Sequence, residues 1–240
     1  MLLSKNELAK LLKNRETIYS FLGRMCEKEI DEKLLDNLLA CKEILKDNSI
    51  VKSDSSDVKN GFEELHSYLA VLSGEREKLS KAVLELAVDY ADLFLGVGHF
   101  RNKGEGIPHP SESTYLGGYL YGDVVEKIFE AYLEEGLVKS PDFNEPEDHI
   151  ALELYFMAHL CRKANTCLES GTYQDLLKCL KTQKAFLDEH LLKWAPRLAE
   201  DIIKYANTIF YRAVGKIMKG FLKIEEENVG RLVEQAKSLL

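Results

Sequence analysis

A chain of 240 residues, 45% hydrophobic and 30% charged, has the composition of a folded globular protein, which excludes a wholly disordered or fibrous one and leaves room for one large domain or two small ones. The formal net charge of −8 argues against nucleic acid as the main partner, because phosphate binding needs clustered Lys and Arg. No stretch approaches the ~18 apolar residues of a spanning helix, and Met1 to Glu7 meet a charge before any apolar run, so the chain reads as cytoplasmic, without signal peptide or membrane insertion.

Apolar residues recur at steps of three and four, with no sustained strict alternation, which predicts helices and not strands. The first helix is predicted over residues 5–28, with Leu8, Leu11, Leu12, Ile18, Leu22 and Met25 as its stripe. Ser4-Lys5-Asn6-Glu7 has the form of a capping box at its start. A second helix, near 31–46, carries Leu34, Leu35, Leu38, Leu39 and Leu45. Residues 47–60, rich in Ser and Asp, read as a loop into a third helix bearing Phe62, Leu65, Leu69 and Leu72. Ser80 is placed to cap a fourth, with Val83, Leu86, Ala87, Tyr90, Leu93 and Phe94 inward, ending at Gly96.

Residues 96–111 break this rhythm with Gly96, Gly98, Gly104, Gly106, Pro108 and Pro110, and loops of such length are often functional. Helix resumes from Ser111 or Ser113 and covers 123–135, where Val124, Val125, Ile128, Phe129, Tyr132 and Leu133 recur at helical spacing and Gly136 ends the run. Further helices are predicted over 146–169, 172–193, 196–221 and 225–239. The predicted fold is an all-α bundle of about nine to eleven helices. The Gly and Pro punctuation of 136–146 reads as a hinge between an N-terminal subdomain, 1–135, and a C-terminal one, 147–240.

Between Asp123 and Glu153 stand ten acidic residues against two basic ones. They form either a solvated face or a surface that attracts a basic partner, and composition does not choose. Five widely spaced cysteines, without a Cys-x-x-Cys pair, read as reduced structural thiols with no zinc or redox centre. The glycine pairs Gly96-x-Gly98 and Gly104-x-Gly106 lack the Gly-Lys-Ser/Thr of a phosphate loop. Glu63-x-x-His66 is half of a di-iron signature without its second half. No cofactor is expected.

The segment Asn144 to Met157 is explained in part as a helix start, with Asn144 capping, Pro146 in the first turn and acids facing the exposed amides. His149 is left over, since a positive imidazole is disfavoured there. Glu145-Pro146-Glu147-Asp148-His149 followed by an apolar helix resembles the hinge motif of the TorD/DmsD/NarJ family of redox-enzyme maturation chaperones, in its TorD/DmsD-like branch. Tyr90-Ala91-Asp92-Leu93-Phe94 with Pro108-His109-Pro110-Ser111-Glu112-Ser113-Thr114-Tyr115 is similar to a second family region, and Phe186-Leu187-x-x-His190-Leu191-x-x-Trp194-Ala195-Pro196 to a third.

The resemblance implies a TorD-like all-α fold and a chaperone, not an enzyme, that binds the twin-arginine signal peptide and the apo subunit of a molybdenum-containing oxidoreductase precursor. It would hold the precursor back from export until the cofactor is inserted. The residues it carries over are Leu93, Phe94, Pro110, Glu112, Ser113, Tyr115, Glu145, Pro146, Asp148 and His149. Leu93, Phe94 and Tyr115 would then meet the apolar part of the signal, and Glu112, Glu145 and Asp148 its arginines. Two alternatives stay open: a NarJ-like assembly factor for a non-exported subunit, and a guanine-nucleotide-dependent switch. Monomer and domain-swapped dimer are both compatible with the family.

Overall fold

The structure, a computed structural model, describes residues 3–43, 55–72, 76–98 and 106–240. Among these residues the regular elements are helical, and β pairing is confined to one isolated bridge between Ser111 and His149. The helices are α1 Lys5–Glu27, α2 Glu32–Ala40, α3 Ser56–Leu72, α4 Arg76–Phe94, α5 Glu112–Gly117, α6 Val124–Glu134, α7 Ile150–Ser170, α8 Tyr173–Phe186, α9 Leu192–Tyr205 and α10 Ile209–Lys237. A π turn, Leu187–Leu191, joins α8 to α9. The all-α expectation therefore holds.

The capping box forms as predicted, with Ser4 N–H donating to Glu7 Oε2 at 2.9 Å and Glu7 N–H to Ser4 Oγ at 3.3 Å. Several predicted boundaries move. α3 starts at Ser56, inside the expected loop, because Val58 already continues the buried stripe of Phe62, Leu65, Leu69 and Leu72; residues 47–54 of that loop, and Leu45, lie outside the described residues. α4 starts at Arg76, so Ser80 is interior and Leu79 joins the buried face. Residues 99–105 of the glycine-rich stretch also lie outside the described residues.

Pro196 sits inside α9 instead of following a break at 194–195, and α10 runs through the break expected at 222–224. The chain turns at 206–208 instead. There the buried Asp89 carboxylate of α4 accepts Asn207 N–H at 2.9 Å, Thr208 N–H at 2.8 Å and the Thr208 hydroxyl at 2.6 Å. Asp89 thus holds the turn that precedes α10, a long-range contact that no local pattern records, while Thr208 caps the helix itself, its Oγ1 accepting Tyr211 N–H at 3.2 Å.

The chain packs as two compact units: Met1–Arg24, Ser111–Trp194 and Lys223–Leu240 form the first, and Met25–Pro110 with Ala195–Leu222 the second. This division is discontinuous in sequence, unlike the expected continuous halves, and residues 136–146 connect α6 to α7 within the first unit.

In the first unit α7 packs on α8, with Phe156 and Phe186 edge to face at 4.7 Å. Arg15 is buried there in a fork with Glu225, Nε to Oε1 at 2.8 Å and Nη2 to Oε2 at 2.6 Å, while Tyr19 and Gln183 complete the hydrogen bonding. Burial pushes the Cys161 thiol up to about 12 and the Cys179 thiol to about 11, so both stay protonated and unreactive near neutral pH. In the second unit α2, α3 and α4 pack on one another.

Candidate functional site

The motif residues of the first unit converge where two helices begin. His149 is the N-cap of α7: its backbone is extended, and its Nδ1 accepts Ala151 N–H at 3.2 Å. Neither Asn144 nor Pro146 fills the place expected for it, because α7 begins only at Ile150. The imidazole left unexplained by the sequence is therefore a neutral acceptor at a helix start, where a cation would be opposed by the helix dipole.

Asp148 performs the corresponding task for α5. Ser111, the residue before that helix, makes no side-chain cap bond to its amides. Instead Glu112 N–H donates to the Asp148 carbonyl at 3.0 Å, and Ser113 N–H to Asp148 Oδ2 at 2.7 Å, across 35 residues of sequence. With the Ser111–His149 bridge alongside, the residues that lead into α7 satisfy the first exposed donors of both helices, Asp148 those of α5 and His149 those of α7.

Below this junction lies an acid cluster. Glu112 Oε2 is 3.0 Å from His190 Nδ1, and Trp194 Nε1–H donates to the Glu153 carboxyl at 3.2 and 3.3 Å. Tyr115 packs on Trp194 at 5.3 Å between ring centres, and His190 on Phe186 at 5.0 Å. Phe143 meets the His149 ring edge-on, and Tyr132 donates its hydroxyl to the Glu147 carbonyl at 3.1 Å. Glu112, Asp148 and Glu153 are each no more than 1% exposed.

Burial, reinforced by the neighbouring Glu112 and Asp148 and partly opposed by the Trp194 N–H, pushes the Glu153 carboxyl well above its usual range. The Tyr132 phenol is raised for the same reasons, burial first and then Glu153. Asp148 Oδ1 is buried without a hydrogen-bond partner among the described residues. Among those residues no group of His, Cys, Asp and Glu has the arrangement to hold a metal ion, and no helix is long and apolar enough to cross a membrane.

Of the residues singled out from sequence, Glu112, Ser113, Tyr115, Pro146, Asp148 and His149 are buried in the first unit. Glu145 is half-exposed there, its carbonyl accepting Lys139 Nζ at 2.6 Å. Leu93, Phe94 and Pro110 are buried in the second unit, where Phe94 packs on Tyr90 at 5.1 Å and Tyr211 at 5.7 Å. Sequence reasoning did not assign Glu153, His190 or Trp194 to the cluster. A signal existed for each: Glu153 falls on the buried stripe of Ile150, Leu154 and Met157, and His190 and Trp194 stand four residues apart in an apolar run.

Comparison with known proteins finds the same neighbourhood. Residues 52–200, more than half of the chain, match the family described as nitrate reductase delta subunit. The chaperone protein TorD of Vibrio cholerae serotype O1 is 28% identical over 231 residues, covering 95% of this chain and 98% of the relative. Those of Aliivibrio fischeri, 27% identical over 92% of this chain and 96% of the relative, and of Vibrio vulnificus, 26% identical over 92% and 97%, are similar along nearly their whole length.

Proposed function

The chain belongs to the nitrate reductase delta subunit family, the TorD/DmsD/NarJ family of redox-enzyme maturation proteins, and from that premise we propose a cytoplasmic chaperone for a molybdenum-containing oxidoreductase. It is a maturation chaperone and not an enzyme. Its ligand in this reading is the precursor, through its twin-arginine signal peptide and its apo catalytic subunit, and binding delays export while the cofactor is inserted.

The observation that carries this reading is the convergence of three motif segments, 111–115, 148–153 and 190–194, on one buried cluster. Burying three acidic side chains is costly, and ordinary packing does not require it, so a cluster of this kind points to a junction held in one geometry for use. The carried-over residues then divide by exposure. Glu145 is the one carried-over residue that solvent partly reaches, and it adds negative charge beside the site where the arginines of the signal bind. Glu112, Ser113, Tyr115, Pro146, Asp148 and His149 act as positioning residues that hold the 111–122 and 137–149 segments of the first unit, and Leu93, Phe94 and Pro110 act through the packing of the second.

Calorimetric titration with a synthetic twin-arginine signal peptide, beside the same peptide with both arginines replaced by alanine, tests the proposal. Binding that weakens at least tenfold on replacement supports it, and absence of binding to either peptide overturns signal recognition. A second reading, an assembly factor that recognises a cofactor-less subunit without reading an export signal, is favoured by the description of the matching family. Retention of the client after deletion of its signal peptide, measured by pull-down, distinguishes the two.

A further inference from the structure

The α5–α6 region exposes apolar side chains that the cluster does not use. Leu116 at the end of α5 is 49% exposed, Tyr119 and Tyr121 in the segment between the helices 59% and 66%, and Phe129 and Leu133, one turn apart on α6, 39% and 48%. Ile128 and Tyr132 face the interior from the same helix, so α6 is apolar on two faces, one of them in water. Single exposed apolar residues are ordinary, whereas a run of them on one short segment marks an interaction surface.

The outer face of α6 is also acidic. Glu126, Glu130 and Glu134 are exposed, spaced one turn apart, and interleave with Phe129 and Leu133. Among the described residues none of the three carboxylates has an ion-pair partner. Three like charges at successive turns repel one another by a few tenths of a kcal/mol per pair, a penalty that a cationic partner would remove. We propose that this α5–α6 surface docks the signal peptide of the precursor, its apolar stretch on Phe129, Leu133 and Tyr119 and its arginines on Glu126, Glu130 and Glu134. This assignment rests on the signal-binding reading above and gives it a surface that solvent reaches, which the buried motif residues do not provide. Apolar contact supplies affinity here, and the carboxylates supply encounter rate and register.

Two variants separate the contributions. Phe129→Ser with Leu133→Ser removes the apolar ridge, and Glu126→Lys with Glu130→Lys and Glu134→Lys reverses the charge; both sets change exposed positions, and their melting temperatures should stay close to that of the native chain. The first set is expected to weaken binding of the native and the arginine-to-alanine peptides alike by at least tenfold. The second should weaken only the arginine-containing peptide, by a similar factor. Native-like affinity in both variants, with the unmodified chain binding, overturns the surface and leaves the signal-binding reading standing. Failure of the unmodified chain to bind either peptide overturns that reading and the surface with it. A dimer of the unmodified chain that the Phe129/Leu133 variant converts to monomer puts a second copy on this face and also overturns the proposal.

Discussion

At the scale of single residues, the buried carboxyls define what is unusual in this molecule. Glu153 is held by Trp194 among Glu112 and Asp148, and its pKa is higher in the folded chain than in the unfolded one. A raised carboxyl pKa contributes stability that is intact below the unfolded value, roughly 4.3. That stability is lost as pH rises toward the folded value, by at most about 1.4 kcal/mol per pH unit. Glu153→Gln keeps an acceptor for the Trp194 N–H and removes the titration, so its stability relative to the native chain should rise across that window. Urea unfolding at a series of pH values measures the difference, and a flat difference would show that Glu153 titrates normally. Asp148→Ala leaves the buried Ser113 N–H without an acceptor, which should cost roughly 1–3 kcal/mol. The Ser113 amide should then exchange with deuterium faster than in the native chain. The sequence made Asp148 and His149 visible as an unusual pair at a helix start. It could not reveal that their partners are the amide of Ser113 and the backbone of Ser111, because nothing local encodes a pairing across 35 residues.

At the scale of helices, the three- and four-residue spacing of apolar side chains was enough to identify nearly every described element, because a buried stripe is what a helix of a folded domain must have. Two ends were missed: the turn at 207–208, held by the distant Asp89, and the passage of Pro196 within α9. The preceding π turn adds a residue to the helical repeat and so shifts the phase from which a break would be judged. Close approach between helices is similarly silent in a periodicity. In the second unit Gly61 of α3 leaves no room for a side chain, since a Cβ there would lie 2.7 Å from Ile217 Cγ1 and 2.9 Å from the Ala213 carbonyl of α10. Backbone cannot withdraw as a flexible side-chain tip can, so Gly61→Ala should destabilise by about 1–3 kcal/mol. Gly230, also in α10, has nothing within 4 Å of its would-be Cβ. Gly230→Ala should therefore stabilise by about 0.5–1 kcal/mol through the unfolded chain. Thermal unfolding of the two variants checks both signs, and a pair of equal effects would refute the contact.

At the scale of the whole molecule, charge distribution is the property that composition made visible and left unresolved. Ten acidic residues against two basic ones between 123 and 153 give that segment the same net −8 as the whole chain, but a count does not separate a solvated face from a recognition surface. Burial divides them: Asp148 and Glu153 are consumed by the buried cluster, Glu135 pairs with Lys163 and Glu147 with Lys139, and Glu126, Glu130 and Glu134 remain outward among exposed apolar side chains. Unpaired exposed charges act over about a Debye length, roughly 10 Å at 0.1 M salt and 3 Å at 1 M, so they govern how often a charged partner arrives more than how long it stays. Under the proposed function, stopped-flow association of the twin-arginine peptide should slow severalfold as salt is raised from about 0.05 to 0.5 M, with dissociation changing much less. The arginine-to-alanine peptide should show almost no salt dependence in either rate. Equal and weak salt dependence for both peptides would mean that the outward glutamates serve solubility alone, and that recognition of a precursor by this chain runs through apolar contact.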